Sequence, residues 1–398
     1  MRRLNEYVPA GDRLLRCGYT TGTCAAAATR AAAELLLAGV APDAVAISTP
    51  AGVQVIAEVE GTELTGDYAC CAVRKDAGDD ADVTDGILVY ARVRRSQQGG
   101  VTIRGGAGVG VVTKPGLDQP PGNAAINTVP RTMIRKEATS AAQAHDYAGG
   151  LDVEICIPAG EELAQRTFNP RLGIEGGISV LGTTGIVRPM SEEALVESIR
   201  LELRVLRAQG AQRVLVVPGN YGMAFAHDTL GLNIGSAVTC SNYVGPTLDE
   251  ASRLGFTSLL FVGHIGKMAK VAGGAMNTHS RVADGRAEVI ATHAALAGAS
   301  AQTVRSIMEA PTTERMVDLL AQDGLLKNAM ATLIQRLGAH LNQRAGNGMH
   351  VEAVVFSQTH GMLGATDSAD KLMAAFANTQ QALGKDHLAT SRPKEQER

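Results

Sequence analysis

The sequence has no tryptophan, and aromatic residues make up only 3% of its 398 residues. Proteins that bind single-stranded nucleic acid stack the bases on aromatic side chains, so this scarcity argues against such a function. The formal net charge of -3 also provides no strongly basic surface for a phosphate backbone. We therefore expect no nucleic-acid partner.

Long apolar runs are missing as well. Residues 1–16 carry several charged side chains, among them Arg2, Arg3 and Arg13, and do not resemble a signal peptide. No uncharged run has the length and apolarity of a membrane span. These absences predict a cytoplasmic protein that has no membrane partner.

The six cysteines form neither a CxxC pair nor a cysteine–histidine array with zinc spacing, so we predict no protein-bound metal. The chain also lacks the P-loop pattern GxxxxGK[ST], the GxSxG elbow and the HExxH motif. Its segment Gly106-Ala-Gly108-Val-Gly110 does not fit the dinucleotide pattern GxGxxG. The kinase, hydrolase and metalloprotease classes therefore lose their main support.

What the chain does have is 45 glycines and a length that favours two domains. In the first part, a helix predicted over 25–38 is followed by β-branched segments between Gly and Asp turns. From about residue 175, strand-like and helical segments alternate, which is typical of a mostly parallel sheet with helices on both faces. The main strands expected in this second part are 177–181, 213–217, 236–240, 257–262 and 350–356.

The predicted fold class is therefore α/β with two domains. Residues 1–172 are predicted to form an α+β unit, and 173–384 a Rossmann-like domain with a helical insertion near 287–344. Residues 385–398 are expected to be a flexible tail. Ligands of parallel sheets bind at the carboxyl ends of the strands, where we expect the glycine-rich loops 182–185 and 218–222 to lie.

Several short sequence blocks together resemble those of one known family. In chain order they include Gly18-Tyr-Thr-Thr-Gly-Thr-Cys24, Lys75-Asp-Ala-Gly-Asp-Asp80, Val112-Thr-Lys-Pro-Gly116, Val129-Pro-Arg131, Leu181-Gly-Thr-Thr-Gly-Ile186, Pro218-Gly-Asn220, Gly263-His-Ile-Gly-Lys267 and Asn277-Thr-His-Ser280. Each block is only modestly specific, but their order over residues 16–285 is highly specific. On these blocks the chain resembles the cobalt-precorrin-5B (C-1)-methyltransferase family, often called CbiD.

The resemblance implies transfer of a methyl group from S-adenosylmethionine to ring carbon C-1 of cobalt-precorrin-5B, which gives cobalt-precorrin-6A in cobalamin biosynthesis. The sulfonium donor already carries an activated methyl group, so neither an enzyme nucleophile nor a metal is required. Orientation of the two reactants can lower the barrier by up to about 7–11 kcal/mol. A positioned base typically adds a factor of roughly 10²–10⁴. Orientation can therefore dominate. The sequence does not determine the oligomeric state, and a homo-oligomer is one possibility.

The same blocks supply the candidate site residues. The methyl donor is predicted to bind strand-end loops, whose glycines permit close approach, at Gly182, Thr183, Thr184, Gly185, Gly219 and Asn220. Candidate contacts to the corrinoid and its carboxylates are Thr21, Thr23, Lys114, Arg131, Lys267 and Arg281. The candidate catalytic residues are His264, His279 and Asp284, since a histidine can accept the proton lost on methylation.

Two other functions stay open on the sequence alone. A nucleotide- or NAD-dependent oxidoreductase acting on a corrinoid would use the same parallel sheet, although the failed GxGxxG pattern counts against it. A non-catalytic tetrapyrrole-binding protein would bind the corrinoid without a saturable site for S-adenosylmethionine. Fold class does not decide among the three.

Overall fold

Residues 3–377 are described by the computed structural model, and they fall into two units that divide between Glu192 and Glu193. Helices and strands occur in both units, so the mixed α/β class expected from the sequence is confirmed. The predicted tail, 385–398, lies outside the described residues.

The strands of the first unit are distributed along its whole sequence. Its strands are β1 (Tyr7–Ala10), β2 (Arg13–Arg16), β3 (Gly18–Tyr19), β4 (Ala44–Ser48), β5 (Gln54–Glu58), β6 (Glu60–Leu64), β7 (Ala69–Arg74), β8 (Leu88–Ser96), β9 (Val101–Gly105), β10 (Gly108–Val109), β11 (Val111–Val112), β12 (Gly150–Cys156), β13 (Ile174–Glu175), β14 (Gly177–Ile178) and β15 (Ile186–Val187). Its helices are α1 (Thr21–Ala38), α2 (Thr128–Ala144), α3 (Gly160–Ala164) and α4 (Asn169–Leu172).

The main sheet of this unit has the strand order β6-β7-β8-β12-β9, and its pairs are antiparallel except β12–β9. Helix α1 packs on this sheet and on α2. Alanines 25–28 and 31–33 of α1 are fully buried, and their small side chains let the helix lie close to its neighbours. The Thr20 hydroxyl caps the start of α1, and Gly39 ends it with a φ of +78°.

The N-terminus of α1 is held by the loop at 181–185. The Thr21 hydroxyl accepts from the backbone N–H of Leu181, and the Thr23 hydroxyl donates to the carbonyl oxygen of Gly185 at 2.7 Å. A Cβ on Gly182 would lie only 2.3 Å from Oγ1 of Thr20. The block that opens the family resemblance and the block at 181–186 are therefore packed against each other inside the first unit.

The sequence predicted that 177–181 forms a strand of the parallel sheet, and this is wrong. Within the described residues, only Gly177–Ile178 of this segment is a strand, and it pairs with β10 of the first unit. The backbones are so close that a Cβ on Gly177 would lie 2.2 Å from the Gly108 carbonyl oxygen. Strands β13 and β15 likewise pair with β11 and β3. The loop 182–185 therefore does not follow a strand of the parallel sheet.

The second unit contains the parallel sheet. Its strands are β16 (Arg213–Val217), β17 (Val238–Thr239), β18 (Ser258–His264), β19 (His350–Ser357) and β20 (Gly361–Ala365). Its helices are α5 (Glu192–Ala208, starting at the division), α6 (Asn220–Ala224), α7 (Val244–Arg253), α8 (Ile265–Ala272), α9 (Arg286–Leu296), α10 (Ala301–Glu309), α11 (Thr313–Gln322), α12 (Leu326–Ala345) and α13 (Ala369–Phe376), with a π-helix at Phe225–Thr229.

The strand order is β17-β16-β18-β19-β20, and only β20 is antiparallel to its neighbour within the described sheet. Side chains of β16 alternate between two cores. Val214 and Val216 pack with residues of α5 and α7–α12, whereas Leu215 and Val217 pack with residues of the π-helix and α13. Both faces of the sheet are thus covered by helices.

The connections that follow the neighbouring strands β16 and β18 diverge from each other. The chain runs from β16 through α6 and the π-helix to β17 on one side of β16, and from β18 through α8–α12 to β19 on the other side. The π-helix and α8–α12 belong to cores on opposite faces of the sheet. This divergence leaves a crevice at the carboxyl ends of β16 and β18.

Replacing Gly182 by alanine should destabilise the first unit. Gly182 has a φ of +132°, and the added Cβ would strike Thr20. Backbone strain and overpacking together should lower the free energy of unfolding by roughly 2–4 kcal/mol, measured by chemical denaturation of the full chain. Gly176→Ala is the matched control, because Gly176 has a φ of +75° with no atom within 4 Å of a Cβ. Equal losses in both variants would show that the contact with Thr20 has no effect.

Candidate functional site

A cavity of about 450 Å³ lies in the second unit at the crevice between β16 and β18. Its walls come from the loop after β16, the first turn of α8, the segment 278–280 and the start of α11. Residues that line it include Gly219, Asn242, His264, Lys267, His279 and Thr313. Small-molecule sites in proteins have volumes of roughly 300–1,000 Å³, so the cavity has the size and the location of a ligand site.

Gly219 forms part of the wall and leaves space above it. Its backbone is extended, with a φ of 163°, and any residue can adopt this conformation. A Cβ at this position would meet no atom within 4 Å. The fold therefore does not require glycine here, and the space is available to a ligand. Asn220, at the first position of α6, is exposed beside it.

Both ring nitrogens of His264 bind protein groups. Nδ1 accepts from the backbone N–H of Gly266 at 3.1 Å and so caps α8. Since Nδ1 is an acceptor, the ring proton must lie on Nε2, which donates to Oε1 of Glu314 at 2.7 Å. The edge of the ring also packs against Phe356, with 5.5 Å between the ring centroids.

Glu314, in the first turn of α11, gathers donors from the ends of two strands. Besides His264, it accepts from the hydroxyls of Ser357 and Thr359, both at 2.6 Å, and from the backbone N–H groups of Gln358 and Thr359. Burial alone would raise the pKa of Glu314, but these hydrogen bonds lower it to about 2. Glu314 is therefore ionised at neutral pH.

Lys267 fastens the loops around the cavity. Its Nζ donates to the carbonyl oxygens of Pro218 at 2.8 Å and Ser241 at 3.0 Å. These bonds join the loops that follow β16 and β17 to the first turn of α8. Burial lowers the pKa of the Lys267 ammonium. The ammonium already binds two protein groups, so this geometry does not support the predicted contact with a substrate carboxylate, which stays a prediction.

The other predicted residues of the second unit lie on the segment after α8. Nδ1 of His279 accepts from the backbone N–H of Arg281 at 3.2 Å. The Arg281 side chain is exposed, and Asp284 forms an ion pair with Arg286 at 2.7 Å. Lys270 is buried, donates to the carbonyl oxygen of Thr278, and lies 4.0 Å from Asp284. His264, Lys267 and His279 thus line one cavity.

The remaining predicted residues belong to the first unit. Thr21 binds Leu181 and Thr23 binds Gly185 as described, and Thr183 and Thr184 are exposed. Arg131 donates to the carbonyl oxygens of Ile126, Ile103 and Ala124, and Lys114 lies 3.4 Å from the carbonyl oxygen of Arg171. Arg131 therefore supports the fold of its own unit, and a role for these residues in binding stays a prediction.

Sequence reasoning missed Glu314. It lies in a run of amphipathic helices and carries no motif, so no local pattern marks it.

Within residues 3–377, no three His, Cys, Asp or Glu side chains converge to hold a metal ion. No helix of the described chain has the length and apolarity needed to cross a membrane.

Comparison with known proteins gives consistent relatives. The profile of the CbiD family matches residues 9–189, and that of the CbiD C-terminal domain matches 277–367. The cobalt-precorrin-5B C(1)-methyltransferase of Ruminiclostridium cellulolyticum is 45% identical over 354 residues, which cover 89% of this chain and 92% of that protein. The protein of the same name from Photorhabdus laumondii is 43% identical over 363 residues, covering 91% and 95%.

One solved crystal structure is also similar. It is the cobalamin biosynthesis protein CbiD of Archaeoglobus fulgidus, which has 29% sequence identity and a TM-score of 0.38, over 69% of this chain and 86% of that chain. The fold described above defines an α/β protein with a cavity at the carboxyl edge of a parallel sheet. The sequence matches to the relatives go further: the chain belongs to the CbiD family.

The stabilising effect of Glu314 should depend on pH. Its folded pKa of about 2 lies below the ordinary value of 4.5, so its contribution is fully present above pH 4.5 and is lost as the pH falls towards 2. Glu314→Gln should lower the free energy of unfolding by roughly 1.5–3 kcal/mol near neutral pH. Denaturant titrations should show the difference from wild type shrinking below pH 4.5. A difference that stays constant down to pH 2 would contradict this.

Proposed function

We propose that the protein transfers the methyl group of S-adenosylmethionine to ring carbon C-1 of cobalt-precorrin-5B. A bond forms between the methyl carbon and C-1, with an electron pair from the ring, while the bond from methyl to sulfur breaks and the ring gives up a proton to a base. The electron pair of the broken methyl–sulfur bond stays on sulfur, which gives S-adenosylhomocysteine. Membership of the CbiD family carries this proposal, and cobalt-precorrin-6A is the expected product.

We interpret the second unit as Rossmann-like and propose that the methyl donor binds in its cavity. The support is its position between diverging connections of a parallel sheet, the general location of ligand sites in such folds. Gly219 leaves room for close approach, and Asn220 offers an amide to the ribose or the methionine carboxylate. The loop 182–185 has weaker support as a donor site, because packing against Thr20 already accounts for Gly182.

We assign the main catalytic effect to orientation of the two reactants within fixed loops. Positioning can lower the barrier by up to about 7–11 kcal/mol. Of the two cavity histidines, His279 is the better candidate to accept the departing proton, which would go to its unprotonated Nδ1. That nitrogen is engaged only by the backbone N–H of Arg281, whereas protonation of His264 at Nδ1 would break the cap of α8. Asp284 is paired with Arg286 and is better suited to hold the segment 279–286 in place.

For the corrinoid, we propose that Arg281 contacts a carboxylate at the mouth of the cavity. Its side chain is exposed, and it follows Ser280, which lines the cavity. A guanidinium group can pair with a carboxylate through two hydrogen bonds. The cytoplasmic location and a homo-oligomeric state stay predictions.

The activity itself is tested with a labelled donor. Purified protein supplied with cobalt-precorrin-5B and S-adenosylmethionine labelled in the methyl group should place the label at C-1, as read by NMR of the product. A corrinoid already methylated at C-1 is the control and should consume no donor. Binding of the corrinoid without donor consumption would favour a tetrapyrrole-binding protein, and dependence on NAD would favour the oxidoreductase.

The donor site is tested by Gly219→Val. The side chain should fill the cavity without disturbing the fold, because nothing lies within 4 Å of a Cβ there. We expect the affinity for S-adenosylhomocysteine, measured by calorimetry, to fall at least about tenfold, or roughly 1.4 kcal/mol. The stability of the variant should match wild type. Unchanged affinity in the folded variant would move the donor site elsewhere.

A further inference from the structure

We propose that Glu314 is a positioning residue that holds His264 in one tautomer and one orientation and thereby fixes a wall of the methyl-donor site. The proposal rests on the function proposed above for the cavity. It concerns a carboxylate on a helix far along the chain from every block that carries the family resemblance.

The carboxylate of Glu314 connects separate elements around the cavity. Glu314 binds His264 at the end of β18 through Oε1. Through Oε2 it binds Ser357 at the end of β19 and Thr359 just after it. One carboxylate thus joins two neighbouring strand ends to the start of α11. Its side chain is only 23% exposed, so water competes weakly for these bonds.

The same carboxylate selects the tautomer of His264. An ionised carboxylate can only accept, so the Glu314 contact requires a proton on Nε2 of His264. Nδ1 is then unprotonated, as it must be to accept from the N–H of Gly266. The two hydrogen bonds select the same tautomer, and each supports the other. A hydrogen bond to one ring nitrogen of a functional histidine commonly fixes which nitrogen carries the proton and how the ring is oriented.

His264 and the first turn of α8 form part of the cavity wall. The cap on Gly266 sets the first turn of α8, and the next residue is Lys267, which holds the loops at Pro218 and Ser241. The wall is tight at Gly266, where a Cβ would lie 3.2 Å from Nδ1 of His264 and 3.3 Å from Oγ1 of Thr313. A change at Glu314 should therefore reach the ligand through His264 and α8, without any contact between Glu314 and the ligand.

The test compares Glu314→Gln with Asp318→Asn. Asp318 lies one turn further along α11 and accepts from Nε2 of His360 at 2.8 Å, so it is a matched carboxylate–histidine pair away from the cavity. Nitrogen NMR reports which ring nitrogen of His264 carries the proton, with His264→Asn used to assign the resonance. Calorimetry with S-adenosylhomocysteine reports the donor site.

In wild type and Asp318→Asn, the His264 proton should lie on Nε2 and the affinity should be equal. In Glu314→Gln, we expect a mixture of tautomers and an affinity at least about tenfold lower, the scale of one charged hydrogen bond. An unchanged tautomer, or a changed tautomer with unchanged affinity, would overturn the proposal.

If Glu314→Gln does not fold, Glu314→Asp is measured in the same way, since it keeps the charge but withdraws it from His264; unchanged tautomer and affinity there would overturn the proposal. If wild type binds no S-adenosylhomocysteine, the donor site proposed above fails. The His264 tautomer in Glu314→Gln then still decides whether Glu314 positions the ring.

Discussion

The ammonium group of Lys267 holds together the edge of the sheet on which the site depends. It donates to the carbonyl oxygens of Pro218 and Ser241, which follow two different strands. These bonds join the loops that follow β16 and β17 to the first turn of α8 at this edge. A partly buried cation on backbone carbonyls is costly to replace, and it fixes the loops around the cavity.

On the other side of β18, Glu314 performs a comparable task with opposite charge. Its donors come from the ends of β18 and β19, and its pKa of about 2 keeps it ionised. The cavity therefore lies between the first turn of α8, which Lys267 holds in place, and the start of α11, which Glu314 holds in place. Such pre-organisation suits methyl transfer, in which the donor is already activated and alignment contributes most of what a protein can add.

The sequence predicted some parts of this arrangement and not others, for physical reasons. The segment 213–217 forms β16 as expected, because a β-branched run followed by Pro218 and Gly219 is a local signal. The segment 177–181 carries a similar pattern, yet Gly177 pairs with Gly108, and both residues belong to the first unit. Local composition indicates a strand but does not identify its partner.

The candidate site, like the fold, was predicted only in part. The family blocks brought His264, Lys267 and Gly219 to attention, and all three line the cavity. What those residues bind depends on contacts across the fold, which spacing along the chain does not contain. Glu314 is the strongest case, since its partners lie about fifty residues earlier and forty-three later in the chain.

The central claim is that the methyl donor binds in the second unit, between the loops that follow β16 and β18. A crystal structure of the protein with S-adenosylhomocysteine tests it most directly. The account predicts ligand density over Gly219, with Lys267 still bound to the carbonyl oxygens of Pro218 and Ser241. Density beside the loop 182–185 of the first unit, with the cavity empty, would contradict it.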